Sequence, residues 1–321
     1  MVYVRVTGRA IVNVHSANAE GSVGNYMGLT KMFILRRREK GYEITEDIVI
    51  SGNMIKHWHA VRVSELLKSQ GYSALCENCK RYIMYRSNLD YSDEYDFIKA
   101  CAIEDLHGFL QPQRQVRRES IVKFAFMLPA EEMRAEYAAI THNRVFTDKT
   151  GAIPKGEQVM MVFKREYASG LYGFLSSMDL AYVGRPLADP DNPEKVLPLD
   201  ERKLRAKCAV LALADILAGR FGAAASRAIP IIKTVELVCA VSKEPLPNLI
   251  HGFYCDYLEE SARILKAAVD SGLIKNLKVF VYGEKAGEIF SKTLAQGLVE
   301  SEGTVIKVLA RAAEVVEQWL R

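Results

Sequence analysis

Long apolar runs are missing from this sequence. No stretch approaches the roughly 20 consecutive apolar residues that cross a bilayer, so no membrane span and no membrane partner are expected. The opening residues, MVYVRVTGRAIVNV, alternate apolar with polar and carry Arg5 and Arg9, where an export signal needs an unbroken apolar core. Cysteine is sparse. Six in 321 residues cannot supply a disulfide framework, so a reducing, cytoplasmic setting is expected. Net charge is small too, +4 in a chain with 26% charged residues, so only local clustering of charge can point to a partner. The signatures of common catalysis are absent: no GxSxG, no phosphate-binding GxxxxGK[ST], no HExxH and no dinucleotide fingerprint. No enzymatic activity and no cofactor are expected.

What is present is material for a large core. Hydrophobic residues make up 49% of a chain long enough for two domains, or for one core with large insertions. Alternation predicts a strand over residues 3–14 and a hairpin of 32–38 with 42–50 around Lys40-Gly41. Between them, three glycines and two asparagines in 16–31 read as a loop. Helical spacing follows Ser51-Gly52 over 53–70, and 71–118 is helical in patches. A strand is expected at 121–128, a loop at 141–156, separate strands at 157–166 and 171–182, and irregular chain across the four prolines of 185–198. Asp200 is expected to cap a helix reaching Ala218. A strand at 233–241, a helix at 256–269, a strand at 277–282 and helices at 284–294 and 304–320 complete the chain. This order predicts an α+β fold, its C-terminal half wired like a ferredoxin with helices on one sheet face.

Cys76-x-x-Cys79 is half of a metal site, but no second cysteine pair sits at a matching distance. His57 and His59, two apart on a helix, cannot share one ion. No metal is expected unless the fold brings one histidine to the pair. Glu104-Asp105-Leu106-His107-Gly108 sets carboxylates beside a histidine, with no nucleophile to serve. Basic residues cluster at Lys31, Arg36, Arg37, Arg38 and Lys40, at Arg114, Arg117 and Arg118, and at Arg202, Lys203, Arg205 and Lys207. Each cluster alone reads as a solvated face; together they favour an extended polyanion. The stretch GRFGAAASR, 219–227, adds bare backbone between Arg220 and Arg227, suited to close approach and forked phosphate contacts. Ser51-Gly52 opens a helix whose start can hold an anion, with Lys56 and His57 in its first turns.

The stretch CAIEDLHGFL, 101–110, together with NVHSANAEGSVGN, 13–25, and ISGNMIKHWH, 50–59, resembles the crRNA-binding backbone subunit of type I CRISPR Cascade. The resemblance is to the archaeal type I-A branch, the DevR family of the Cas-seven superfamily. It implies a modified RNA-recognition-motif palm at 1–51, 120–140 and 200–321, a helical insertion at 52–119 and a thumb at 141–199. It also implies a non-catalytic subunit that stacks head to tail along one guide RNA and displays it for pairing with a target DNA strand. The implied partners are crRNA, copies of the chain in a helical filament and other Cascade subunits. LYGFLSS at 171–177 only faintly matches the aromatic pattern of an RNA-recognition motif. Expected contacts therefore lie in loops and helix starts that grip sugar and phosphate: Asn18, Asn25, Lys31, Ser51, Gly52, Lys56, His57, Arg114, Arg117, Arg220 and Arg227. Two other classes stand beside this one, a metal-dependent endoribonuclease and a DNA-binding regulator of CRISPR loci.

Overall fold

Alternating β-branched residues from the first turn of chain build the strand around which everything else is arranged. The computed structural model describes residues 1–86, 88–143, 160–222 and 228–321. The N-terminal part runs β1 (Tyr3–His15), β2 (Ala19–Val23), β3 (Tyr26–Leu29), β4 (Lys31–Arg37) and β5 (Tyr42–Ile48). A mainly helical stretch follows: α1 (Gly52–Ser69), α2 (Glu77–Lys80), α3 (Glu94–Ala100) and α4 (Ala102–His107). The middle holds β6 (Phe109–Gln111), β7 (Val116–Arg118), β8 (Val122–Phe124), β9 (Leu128–Pro129), β10 (Arg134–Asn143) and β11 (Met160–Met178). The C-terminal part is α5 (Leu199–Leu217), β12 (Ile231–Ser242), α6 (Tyr257–Asp270), β13 (Leu277–Tyr282), α7 (Glu284–Thr293), β14 (Val299–Ser301) and α8 (Val305–Trp319).

The main sheet has the order β14-β13-β12-β1-β11-β3-β2, with β8, β9 and β10 paired to other parts of β11. β1 is antiparallel to both neighbours, Val6 facing Ser176 on one side and Cys239 on the other. The expected helices on one face are corrected to helices on both. Leu237, Cys239 and Val241 join a core with α1, α5 and α8, whereas Val238 and Ala240 join a second core with α6 and α7. The physical reason is visible in β12, where every residue from Leu237 to Ser242 is buried, the continuous burial of a strand covered twice.

The two strands expected at 157–166 and 171–182 are one, the 19-residue β11. The expected gap, 167–170, is bridged because β10 pairs with the strand as far as Ser169 and β1 pairs with it from Ala168 and Gly170 onward. Gly173, inside the second expected strand, is bare for a long-range reason. A Cβ there would lie 2.1 Å from the backbone of Gly252, which crosses the sheet at this point. The expected thumb, 141–199, therefore takes in residues 168–178, which pair with β1 in the middle of the sheet. Beyond Ala168 the strand parts from β1 and is flanked by β10 and β3. The proline-rich segment 185–198 has no helix or strand, as expected, yet it is tied down. Leu187 N–H donates to Glu94 at 3.0 Å, Leu197 N–H to the Gly184 carbonyl at 2.9 Å, and Lys195 pairs with Asp93. Residues of the expected helical insertion, including Val63, Ile103 and Leu106, share one core with Val4 and Val6 of β1. The cap of α5 is Pro198 rather than Asp200, and β2 and β3 occupy much of the stretch read as a loop.

Candidate nucleic-acid interface

β1 does not end smoothly. Its register against β11 slips between Val12 and His15, and Val14 takes φ of 48°, a strained value for a β-branched residue. The Val14 N–H donates to Ser169 Oγ at 2.9 Å. His15 then turns inward, its Nε2 2.8 Å from the Tyr172 hydroxyl, and burial pushes its pKa down to about 4, which keeps the ring neutral. The bulge sends Ser16, Ala17 and Asn18 off the sheet. Ser16 Oγ is buried with no hydrogen-bond partner.

Asn18 lands against the start of α1. Its backbone carbonyl accepts from Thr30 N–H at 3.0 Å, and its side-chain amide donates to Thr30 Oγ1. Its side-chain oxygen accepts from the Ser51 hydroxyl at 2.6 Å, while Ser51 Oγ caps α1 by accepting from Met54 N–H at 3.2 Å. The first turn of α1 contains no carboxylate, so the positive end of an 18-residue helix is left uncompensated at this edge. The structure thus brings Asn18, Ser51 and Gly52 together. Gly52 has a further reason to be bare: a Cβ there would sit 2.5 Å from the Phe124 carbonyl.

The loop at 219–222 arrives at the same edge. α5 ends in a Schellman turn, with Gly219 at φ of 85°, Gly219 N–H on the Ile216 carbonyl and Arg220 N–H on the Asp215 carbonyl, both at 3.0 Å. Gly219 is therefore a helix terminator. Gly222, at φ of 101°, packs against the other strip of bare chain: its Cβ would lie 3.1 Å from Ala17 Cα. Arg62 of α1 fixes the loop from below, donating twice to the Arg220 carbonyl at 3.2 Å. The Arg220 guanidinium is half exposed and held by Asp215 at 3.0 Å and Glu65 at 3.1 Å. Arg227 lies outside the described residues.

The remaining expected contacts are spread out. Lys56 is partly buried, and that burial, followed by the charge of Arg86, lowers its pKa to about 8. It lines a polar cleft of about 900 Å3 with Arg86, His107, Gln111 and Ser120. His57 is lowered by burial and by Arg86, and its ring stands edge-on to Trp58. Lys31 is paired with Glu166 at 3.2 Å. Asn25 occupies the turn between β2 and β3, its carbonyl accepting from Lys164 N–H at 2.8 Å. Arg114 makes a bidentate pair with Asp90 at 2.7 and 2.9 Å, and Arg117 is exposed on β7. None of Asn25, Arg114 and Arg117 is hydrogen-bonded to the Asn18–Ser51 edge.

Three of the basic clusters lose members to the interior. Arg36 is buried against Asp47 at 2.9 Å. Arg202 donates to the Val183 carbonyl at 2.7 Å. Arg118 and Arg205 are fully buried and converge on Asp105, each at 2.8 Å. Asp105 also accepts from Gly184 N–H at 3.0 Å. His107, two residues on, contacts His59 Nδ1 through Nε2 at 3.0 Å, and His59 Nε2 contacts the Ala209 carbonyl at 2.8 Å. Because a carbonyl only accepts, His59 carries its proton on Nε2, and His107 Nε2–H is the donor between the rings. Burial lowers both pKa values, that of His59 to about 4. The Glu-Asp-Leu-His-Gly stretch is a buried tie between elements. Thr30 and Arg62, which hold Asn18 and the 219–222 loop in place, have only a long-range signal in the sequence.

The family model described as CRISPR-associated negative auto-regulator DevR/Csa2 matches residues 6–262. A protein of Methanocaldococcus jannaschii named CRISPR-associated protein Cas7/Cst2/DevR is 40% identical over 311 residues, covering 90% of this chain and 96% of its own. The CRISPR-associated aCascade subunit Cas7/Csa2 2 of Saccharolobus solfataricus is 26% identical, covering 87% of this chain and 92% of its own. Among solved structures, a chain of a CRISPR RNA-guided surveillance complex, pre-nicking, shares the fold with a TM-score of 0.50 at 9% identity, over 98% of this chain and 100% of that one. Among the described residues no helix is long and apolar enough to cross a membrane. With its α+β sheet core and a family match across most of its length, the chain belongs to the DevR/Csa2 family of CRISPR-associated proteins.

Proposed function

We propose that this protein is a non-catalytic crRNA-binding subunit that polymerises head to tail along the guide and presents it to a target strand. The observation that carries the reading is the edge where Asn18, Ser51 and the start of α1 meet, continued through the Ala17–Gly222 contact to the loop that bears Arg220. It offers backbone amides, a helix N-terminus, two small residues in contact and an exposed guanidinium. These groups suit sugar and phosphate, which is what a protein must hold when the guide sequence varies.

Assembly has its own support. On the β4–β5 hairpin, Phe33, Leu35, Tyr42 and Ile44 share one face and are 77%, 56%, 69% and 67% exposed. The opposite face carries Ile34, Arg36 and Asp47, all buried against the body. So large an apolar face suits a protein contact. A contact between this hairpin and a different surface of the next copy does not close on itself and continues along a filament. The names of the relatives place them in multi-subunit CRISPR complexes, which agrees. Within the Glu-Asp-Leu-His-Gly stretch the Asp105 carboxylate is committed to Arg118 and Arg205, and His107 Nε2 to His59.

Light scattering of the protein with single-stranded RNAs of increasing length tests this. A ladder of species that lengthens with the RNA is expected. A single dimer unchanged by RNA contradicts it.

A further inference from the structure

Half of the chain's cysteines meet at one point. Cys76, Cys79 and Cys101 are free thiols, 6%, 0% and 0% exposed, and their sulfur atoms lie within 4.8 Å of one another. The other three are apart: Cys208 and Cys239 are buried elsewhere and Cys255 is exposed. The fold brings Cys101, the residue capping α4, to the Cys76-x-x-Cys79 turn, and not the histidine that the spacing left open.

The chain around the trio is arranged as a small knuckle. Cys76 precedes the four-residue α2, and the Cys76 and Cys79 carbonyls accept from Lys80 N–H at 2.9 Å and Tyr82 N–H at 3.2 Å. Ser64 Oγ of α1 donates to the Cys79 carbonyl at 3.0 Å, and Ala102 N–H to the Ala74 carbonyl at 2.9 Å. Directly after it, Tyr82 and Met84 adopt φ of 61° and 54°, left-handed values that neither side chain favours. A strained, irregular segment with little secondary structure holds three thiols together in a buried spot. Strain of this kind persists where something over-determines it.

We propose that Cys76, Cys79 and Cys101 form a structural site for a thiophilic divalent cation, zinc(II), which staples residues 72–86 to the start of α4. Zinc–sulfur bonds of about 2.3 Å in tetrahedral geometry place sulfurs about 3.8 Å apart, a spacing within the span of this trio. Binding exchanges three S–H protons for three Zn–S bonds, releases the protons to solvent and changes no oxidation state. Among the described residues no fourth cysteine, histidine or carboxylate joins the group. The fourth position falls to a water molecule, and Cys76, 6% exposed against 0% for the other two, is the member of the trio that solvent reaches. A disulfide is the less fitting use, since it would leave one of three thiols over.

The test is the metal content of the full chain purified under reducing conditions without chelator, with added zinc and with cobalt(II) in its place. About one zinc per chain is expected, together with thiolate-to-cobalt charge-transfer bands. Cys79→Ser and Cys101→Ser should abolish both, and Cys255→Ser should leave both unchanged. In the wild type, zinc should shield Cys76, Cys79 and Cys101 from alkylation, and a chelator should expose them; this readout holds if a serine variant does not fold. Reduced protein that takes up no zinc, metal retained by Cys79→Ser, or a disulfide within the trio overturns the proposal.

Discussion

Arg205 and Arg220 sit at opposite ends of the same stretch of chain, one in the first half of α5 and the other just past its end. Each is bound by two carboxylates. Arg205 has Asp105 at 2.8 Å and Glu201 at 2.7 Å and is fully buried. Arg220 has Asp215 at 3.0 Å and Glu65 at 3.1 Å and is half exposed. Identical chemistry therefore has opposite uses. In the interior neither charge has water to fall back on, so the pair cannot be opened without heavy loss. At the surface each ion pair contributes little, and a phosphate can replace a carboxylate at small cost.

The sharpest way to break this comparison is at Asp105. Asp105→Asn removes the one fully buried carboxylate that Arg118 and Arg205 share and leaves each with a single partner nearer the surface, Glu94 and Glu201. We expect a loss of about 3 kcal/mol, the lower end of the range for breaking a buried pair from one side, because Glu94 and Glu201 remain. A loss of less than a third of that free energy in urea unfolding would show that the interior relaxes around the arginines.

The histidine pair beneath Asp105 makes the interior sensitive to acid. The pKa of His59 is depressed in the fold to about 4 from an ordinary value of 6.5. Between those two values the unfolded chain binds more protons, so stability is full above pH 6.5 and falls as pH drops toward 4. His15 adds in the same direction. The contribution of His59 is on the order of 3 kcal/mol. Thermal melts across this window should show Tm falling with acidification, and a flat or rising Tm contradicts the buried, neutral assignment.

Smaller effects belong to the edge. Ser51→Ala removes the cap of α1 and the hydroxyl that anchors Asn18. We expect about 1 kcal/mol in urea unfolding and weaker RNA binding, measured by fluorescence anisotropy. Loss of stability without loss of affinity would reduce Ser51 to a cap. Arg220→Ala should cost less still, under about 1 kcal/mol. A larger loss would place Arg220 with Arg205 and erase the comparison.

The contrast between the two arginines could not be read from the sequence. Asp105 and Arg205 are 100 residues apart, so local clustering of Arg202, Lys203, Arg205 and Lys207 looked the same whether the residues faced water or the core. What was legible rested on local signals. The β4–β5 hairpin follows from alternation around Gly41, α1 from Ser51 and helical spacing, and the end of α5 from Gly219. What was not legible rests on distant contacts. β11 stays unbroken across 167–170 because β10 and then β1 pair with it there, and the helices cover both sheet faces because β12 is apolar on both sides. Ser51, Gly52 and Arg220 were singled out through a helix start and bare backbone, and Asn18 through the resemblance carried by its loop. The bulge at Val14, Thr30 and Arg62, which position them, carry no local pattern.

The central claim is that this edge grips RNA by its backbone regardless of sequence. A salt titration of binding tests it most directly, comparing wild type with Arg220→Ala on two unrelated single-stranded RNAs of equal length. The account predicts weaker binding to both RNAs by a similar factor, and a dependence of log affinity on log salt flatter by about 0.7 for the one lost phosphate contact. A folded variant with unchanged affinity and slope, or one that loses affinity for only one of the two RNAs, contradicts it.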